Sequence, residues 1–340
     1  MIDLKELISR PEHKWLDEYK DRLCFITLGG SHGYNLNTET SDIDLRGVLL
    51  PSKDELIGLK KFNQKEDNST DSVLYEFNKF ADLAKANNPN IVELLGMKEY
   101  LIFNEVGEKL IDNVKLFLSK KCYKTFNGYA IAQLRRVENY LAETEYTQEQ
   151  KNKHIVETMN IAMDKLAETN DLFKQGNIKV NLQEDKVTID CDIKSAPIDL
   201  VRASLNDLMT IERTYNKLGQ RNIKKDDYHL NKHISHLFRL ILTCCDILEK
   251  HEIHSYRTDD RDYLMDIKNG KYLKDGKLTE EFSEDLNKLK ERLENSYKES
   301  TLQDSYDFDR LNDFVCTINK KVIDDDIVKY KEPLDIVCIY

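Results

Sequence analysis

The sequence predicts an α+β protein, with a small mixed-sheet domain at the amino end and a larger, mainly helical region carrying one inserted β-hairpin. Three observations predict it. Apolar runs of strand length crowd the amino-terminal quarter, among them Leu23-Cys24-Phe25-Ile26-Thr27-Leu28 and Ile43 to Leu50. From about Lys79 onward apolar residues recur three and four apart, the helical period. Between Ile178 and Ile193, Val180, Leu182, Val187 and Ile189 alternate around Glu184-Asp185, the pattern of a hairpin.

The elements follow in order. An amphipathic helix is expected over residues 3–20, then the strand that ends at Gly29-Gly30. A second strand runs from Ile43 to Leu50 and is closed by Pro51; after a polar loop, Gln64 to Thr70, a third spans Asp71 to Phe77. Phe80, Leu83 and Ala84 mark a helix, and Ile91, Leu94 and Leu95 another, with Asn87-Asn88-Pro89 as the break. Further helices are expected within 115–174, 200–250, 258–269 and 279–297. This order divides the chain into a small sheet domain, residues 1–105, and a mainly helical domain, residues 106–340.

Composition narrows the function classes. With 33% charged and 40% hydrophobic residues, 12 Gly and 5 Pro, the chain is that of a globular protein. Its longest apolar stretch, Leu237 to Leu248, is interrupted by Arg239 and Asp246, well short of the ~20 residues a membrane helix needs. The amino terminus lacks the apolar core of a signal peptide, so a cytoplasmic protein is expected. Seven scattered cysteines without CxxC spacing favour neither a disulfide framework nor a zinc site, and the Cys244-Cys245 pair reads as core packing. His229, His233 and His236 share a helix face, but no Cys or acid is spaced to complete a zinc site with them. The formal charge of -11 makes the surface as a whole repel nucleic acid, so a polynucleotide partner requires a local basic groove.

The chemistry is concentrated between Gly29 and Gly47. Gly30 and Ser31 follow a strand and open a short helix, so backbone N–H groups and the Ser hydroxyl can point at a phosphate. Asp42 and Asp44, two apart at a strand start, project from one face while Ile43 and Leu45 face the core. Two carboxylates so close repel each other unless cations neutralise them, and Mg²⁺ (or Mn²⁺), an ion that prefers oxygen ligands and phosphates, suits them. In two-metal phosphoryl chemistry the ions stand roughly 3.5–4 Å apart. His32 reads either as a phosphate ligand or as a structural histidine; Arg46, on the strand face of Asp44, either holds a carboxylate or touches substrate.

Gly30-Ser31 followed by Asp42-Ile43-Asp44 on the next strand resembles the signature of the DNA polymerase β-type nucleotidyltransferase superfamily. The resemblance implies a polymerase β-like fold, two metal ions and a third carboxylate on a neighbouring strand, for which Asp71 is preferred over Glu76. Tyr75 to Phe80, Asn88 to Leu95, Thr125 to Ala130 with Gln133 and Arg136, Lys232 to Leu240 and Asp266 to Gly270 are similar to predicted bacterial and phage nucleotidyltransferases linked to RNA-repair gene clusters. Together they span most of the chain.

Tyr129, Gln133 and Arg136 lie at i, i+4 and i+7 on one helix face, as do Lys232, His236 and Arg239; either face suits a base or a triphosphate, or is a solvated stripe. The resemblance implies transfer of a nucleoside monophosphate from a nucleoside triphosphate to an acceptor with loss of pyrophosphate. An RNA end, including that of a transfer RNA, is the first expectation. Toxin-like nucleotidylation of a protein or small molecule and a non-catalytic nucleotide sensor are the alternatives.

Overall fold

The computed structural model describes residues 3–145, 178–183, 186–192, 197–202, 227–330 and 337–338, with isolated positions between 156 and 209. The helices expected in 146–174 and 203–226 fall largely outside the described residues, as does the hairpin turn Glu184-Asp185. The chain divides into two compact units. The first joins residues 1–133 to 231–274 and 278–340; the second comprises 134–230 with 275–277.

The first unit is built on a mixed sheet. Its strands are β1 (Leu23–Leu28), β2 (Leu45–Leu49), β3 (Gln64–Asp67), β4 (Ser72–Glu76) and β5 (Glu99–Ile102). With the carboxy-terminal pair Val337–Cys338, labelled β8, the order is β8-β5-β1-β2-β4-β3. β1 runs antiparallel to β2 and β5, whereas β2 and β4 are parallel, with Arg46 opposite Val73. On one face Leu23, Ile26, Leu45, Leu49, Leu74 and Leu101 pack with Leu4, Leu7 and Leu16 from the amino terminus. Each such side chain, removed from water, contributes about 1.5–3 kcal/mol. On the other face Phe25 meets Phe80 and Tyr100 edge to face.

The amino-terminal segment departs from the expected single helix. Helix α1 (Leu4–Ile8) ends at Ser9, and Pro11 opens a 3₁₀ stretch, Pro11–Glu18, because the residue before a proline is driven out of the helical region and the proline has no N–H to continue the ladder. β3 lies where a polar loop is expected: it is an edge strand whose side chains are half-buried or exposed, so no apolar alternation betrays it. β5 is buried along its whole length and likewise lacks alternation.

Helix α2 (Gly30–Gly33) follows β1, and α3 (Lys53–Ile57) follows β2 behind a Ser52–Glu55 capping box. The amphipathic α4 (Phe77–Lys85) buries Phe77, Phe80, Ala81 and Ala84. It ends at Asn87, which takes a positive φ of 53° before Asn88 caps α5 (Pro89–Val92), so the predicted break is in place. Among the described residues, helices α6 (Glu105–Asp112), α7 (Lys121–Glu145), α8 (Asp227–Lys250), α9 (Arg261–Lys268), α10 (Glu280–Glu299) and α11 (Phe308–Ile323) follow. In the second unit β6 (Ile178–Gln183) and β7 (Lys186–Cys191) form the expected antiparallel hairpin, and the Asn160 side chain bonds both backbone groups of Val180. Among the described residues no helix is long and apolar enough to cross a membrane.

Candidate active site

The site residues of the amino-terminal motif gather at one end of the sheet. The chain leaves β1 through Gly29, whose N–H donates to the Asp44 carbonyl at 2.8 Å, and enters α2 at Gly30. Gly30 has φ 53°, and a Cβ there would stand 1.8 Å from Oδ2 of Asp44, so only glycine lets the backbone lie against that carboxylate. The loop that follows is closed on itself: the Ser31 carbonyl accepts from Leu36 N–H at 2.8 Å, and the His32 ring reaches the Ser41 carbonyl at 3.3 Å. His32 therefore has a structural partner.

Asp44 and Asp71 are neighbours. Asp44 immediately precedes β2 and Asp71 immediately precedes β4, and these strands run parallel from Arg46 opposite Val73, so the two acids stand at the same end of the pair. Electrostatics agree. Burial pushes the Asp44 carboxyl above its ordinary range, Arg46 and Lys232 oppose that shift, and the negative charges of Asp71 and Asp42 add to it. Arg46 bridges the group, donating to the Asp71 carbonyl and lying 3.5 Å from its carboxylate. Asp71 itself has φ 45° and its side chain is 76% exposed, so it stands at the rim of the site.

Glu76, the other candidate for a third carboxylate, is elsewhere. At the far end of β4, it accepts from the N–H groups of Asn78 and Lys79 and caps α4. Among the described residues no three His, Cys, Asp or Glu side chains already converge as a metal-holding group. The donor set of Asp42, Asp44 and Asp71 nevertheless fits a hard divalent cation, because each supplies oxygen and their mutual repulsion is what such an ion relieves.

The residues expected on helix faces separate. Lys232 is exposed and within electrostatic reach of Asp44. His236 is half-buried. Arg239, three residues further along α8, is sealed in: it pairs with the equally buried Glu93, and its guanidinium lies 3.6 Å from the centroid of the Tyr34 ring. Tyr34 also donates to Glu93 at 3.0 Å, so the pair grips the loop after Gly30-Ser31. On α7, Gln133 is buried and meets His233 at 2.8 Å, Tyr129 is half-buried with its hydroxyl 3.5 Å from Asn88 Oδ1, and the exposed Arg136 belongs to the second unit.

Periodicity missed two residues that hold this loop. Arg257 N–H donates to the Tyr34 carbonyl at 3.2 Å and its own carbonyl accepts from the Asn35 side chain at 2.9 Å. The buried Lys268 ammonium donates to the Leu36 carbonyl at 2.6 Å. Lys268 stands in the Asp266–Gly270 segment singled out by resemblance; Arg257 lies outside every such segment.

Residues 3–188, more than half of the chain, match the RlaP family, the RNA repair pathway DNA polymerase beta family. The chain belongs to the RlaP family. The resemblance carried by Gly30-Ser31 and Asp42-x-Asp44 is thereby borne out, and the α+β class with it. No curated protein and no solved structure matches the chain. The RlaP match ends before Arg239, Arg257 and Lys268, the three residues that brace the loop of the motif.

Proposed function

We propose that this RlaP-family protein is a nucleotidyltransferase that moves a nucleoside monophosphate from a nucleoside triphosphate to an acceptor, with an RNA end, including that of a transfer RNA, as the acceptor. The observation that carries the reading is the Gly30 backbone lying against the Asp44 carboxylate, on which the charges of Asp42 and Asp71 also act. The family's RNA-repair description supports RNA as the acceptor.

In this reading Asp42, Asp44 and Asp71 hold two Mg²⁺ (or Mn²⁺) ions. When bound, these supply charge neutralisation for the attacking oxygen and for the departing pyrophosphate. Gly30 and Ser31 hold the triphosphate, helped by Lys232 from α8. The acceptor hydroxyl oxygen forms a bond to the α-phosphorus as the bond to the β-phosphate oxygen breaks; the hydroxyl proton passes to Asp71, an exposed carboxylate at the rim of the site, and pyrophosphate leaves. Arg46, already bridged to Asp71, orients it. In this reading residues 1–105 supply the carboxylates and the phosphate cradle, and residues 106–340 supply Lys232 and the acceptor surface.

The test is incubation with Mg²⁺, each α-labelled nucleoside triphosphate, and fractionated RNA and protein, beside Asp44→Asn. Label in RNA that vanishes with the variant supports the reading. Label in protein moves the acceptor class, and retained transfer in the variant sinks the mechanism.

A further inference from the structure

The acidic chain needs a local basic surface if it is to hold RNA, and one stands at the start of α7. Lys121 Nζ lies 5.0 Å and Lys85 Nζ 5.8 Å from the centroid of the Tyr306 ring. Lys120 Nζ lies 5.3 Å from the Tyr297 ring, which is stacked on Tyr123 at 4.4 Å. Lys124 is exposed one turn on. Asp82 pairs with Lys85 and Glu294 acts on Tyr123, so the patch is not purely cationic, but Lys120 and Lys121 face aromatic rings rather than carboxylates.

The Lys121 end of the patch lies on the same helix as Tyr129. Lys121, Thr125 and Tyr129, at i, i+4 and i+8, form one stripe of α7, about 12 Å long at the helical rise. Thr125 donates to the Asn87 carbonyl at 2.7 Å, and the Tyr129 hydroxyl reaches Asn88. Tyr129 and Asp71 both act on the Tyr75 hydroxyl, which burial first pushes above its ordinary range. The stripe thus starts beside Tyr306 and ends at Tyr129, which has Tyr75 as a neighbour in common with Asp71.

We propose that Lys85, Lys121, Tyr306 and the Lys121–Thr125–Tyr129 stripe form a track for single-stranded RNA that leads the acceptor strand to Asp44 and Asp71. The inference rests on the RNA reading of the site. Cations interleaved with flat rings match a polymer that alternates phosphates with stackable bases; an acidic peptide would use the cations and leave the rings idle.

Binding of a fluorescein-labelled oligouridylate to the full chain, without nucleotide, tests it. Lys85→Gln/Lys121→Gln should bind more weakly, with the slope of log K against log salt reduced by about 1.4, the release expected for two phosphates of a single strand. Tyr306→Leu should lose about tenfold, the scale of one base stack, and Tyr306→Phe should restore it. The proposal is overturned if the parent fails to bind, if the lysine and Tyr306 variants bind like the parent, or if polyglutamate displaces the RNA as well as unlabelled RNA does. This pattern of binding in a protein that transfers no label would uphold the track and reject the transfer reading alone.

Discussion

Arg239 and Glu93, 146 residues apart in sequence, form an ion pair shielded from solvent on both sides, with 1% and 0% of their side chains exposed. Taking either partner away leaves an uncompensated buried charge. Arg239→Met should therefore cost about 3–5 kcal/mol, and the double variant Arg239→Met/Glu93→Gln should recover part of that. Urea unfolding of the four proteins in the cycle measures the coupling. Additive losses would mean that the two charges do not depend on each other.

Gly30 is expected to tolerate no side chain. Its φ of 53° and the 1.8 Å separation between a built Cβ and the Asp44 carboxylate require both the backbone and Asp44 to shift in Gly30→Ala. The strain costs about 1–3 kcal/mol, and transfer should fall at least as far as in Asp44→Asn. Thermal melting and the labelled-nucleotide assay together check this.

Asp44 and Glu76 should respond in opposite ways. Burial and neighbouring negative charge disfavour the ionised Asp44, so Asp44→Asn is expected to leave the unfolding midpoint unchanged or raised while transfer disappears. Glu76→Ala removes a helix cap, costing about 0.5–2 kcal/mol, and should leave transfer largely intact in the protein that remains folded. Equal effects of both substitutions on transfer would return Glu76 to the site.

Glu105 sets an acid limit on stability. Burial alone would raise its carboxyl, but bonds from Lys109, Lys321 and the Val328 N–H outweigh that and hold it at about 2, below the ordinary 4.5. Its contribution, about 1–2 kcal/mol after solvent screening, is complete above pH 4.5 and is lost as pH falls toward 2. Glu105→Gln should flatten the fall in urea midpoint over that interval; an unchanged slope would show that other carboxylates govern it.

What the sequence made legible follows from where the information lies. The gathering of Gly30, Asp42 and Asp44 could be read because a strand, a turn and the next strand keep them together over a short stretch. The choice between Asp71 and Glu76 was not legible, since it depends on the parallel pairing of β2 with β4 and on Glu76 being taken up as the cap of the helix that follows. Fully buried β5 and edge strand β3 escaped because neither alternates. The spacing of Lys232, His236 and Arg239 on α8 was legible, but spacing alone does not tell an exposed lysine from a sealed arginine. Arg257 and Lys268 brace the motif loop from 222 and 232 residues away, and no periodic signal extends so far.

That bracing has a consequence for how the protein is made. The residues that read as catalytic leave the ribosome early, but the hydrogen bond that steadies Leu36 waits for Lys268, 232 positions later. During most of its synthesis the nascent chain carries the motif without the bond from Lys268 to Leu36. The order of translation thereby leaves the loop after Gly30-Ser31 without its last brace until the Arg261–Lys268 helix has also been built.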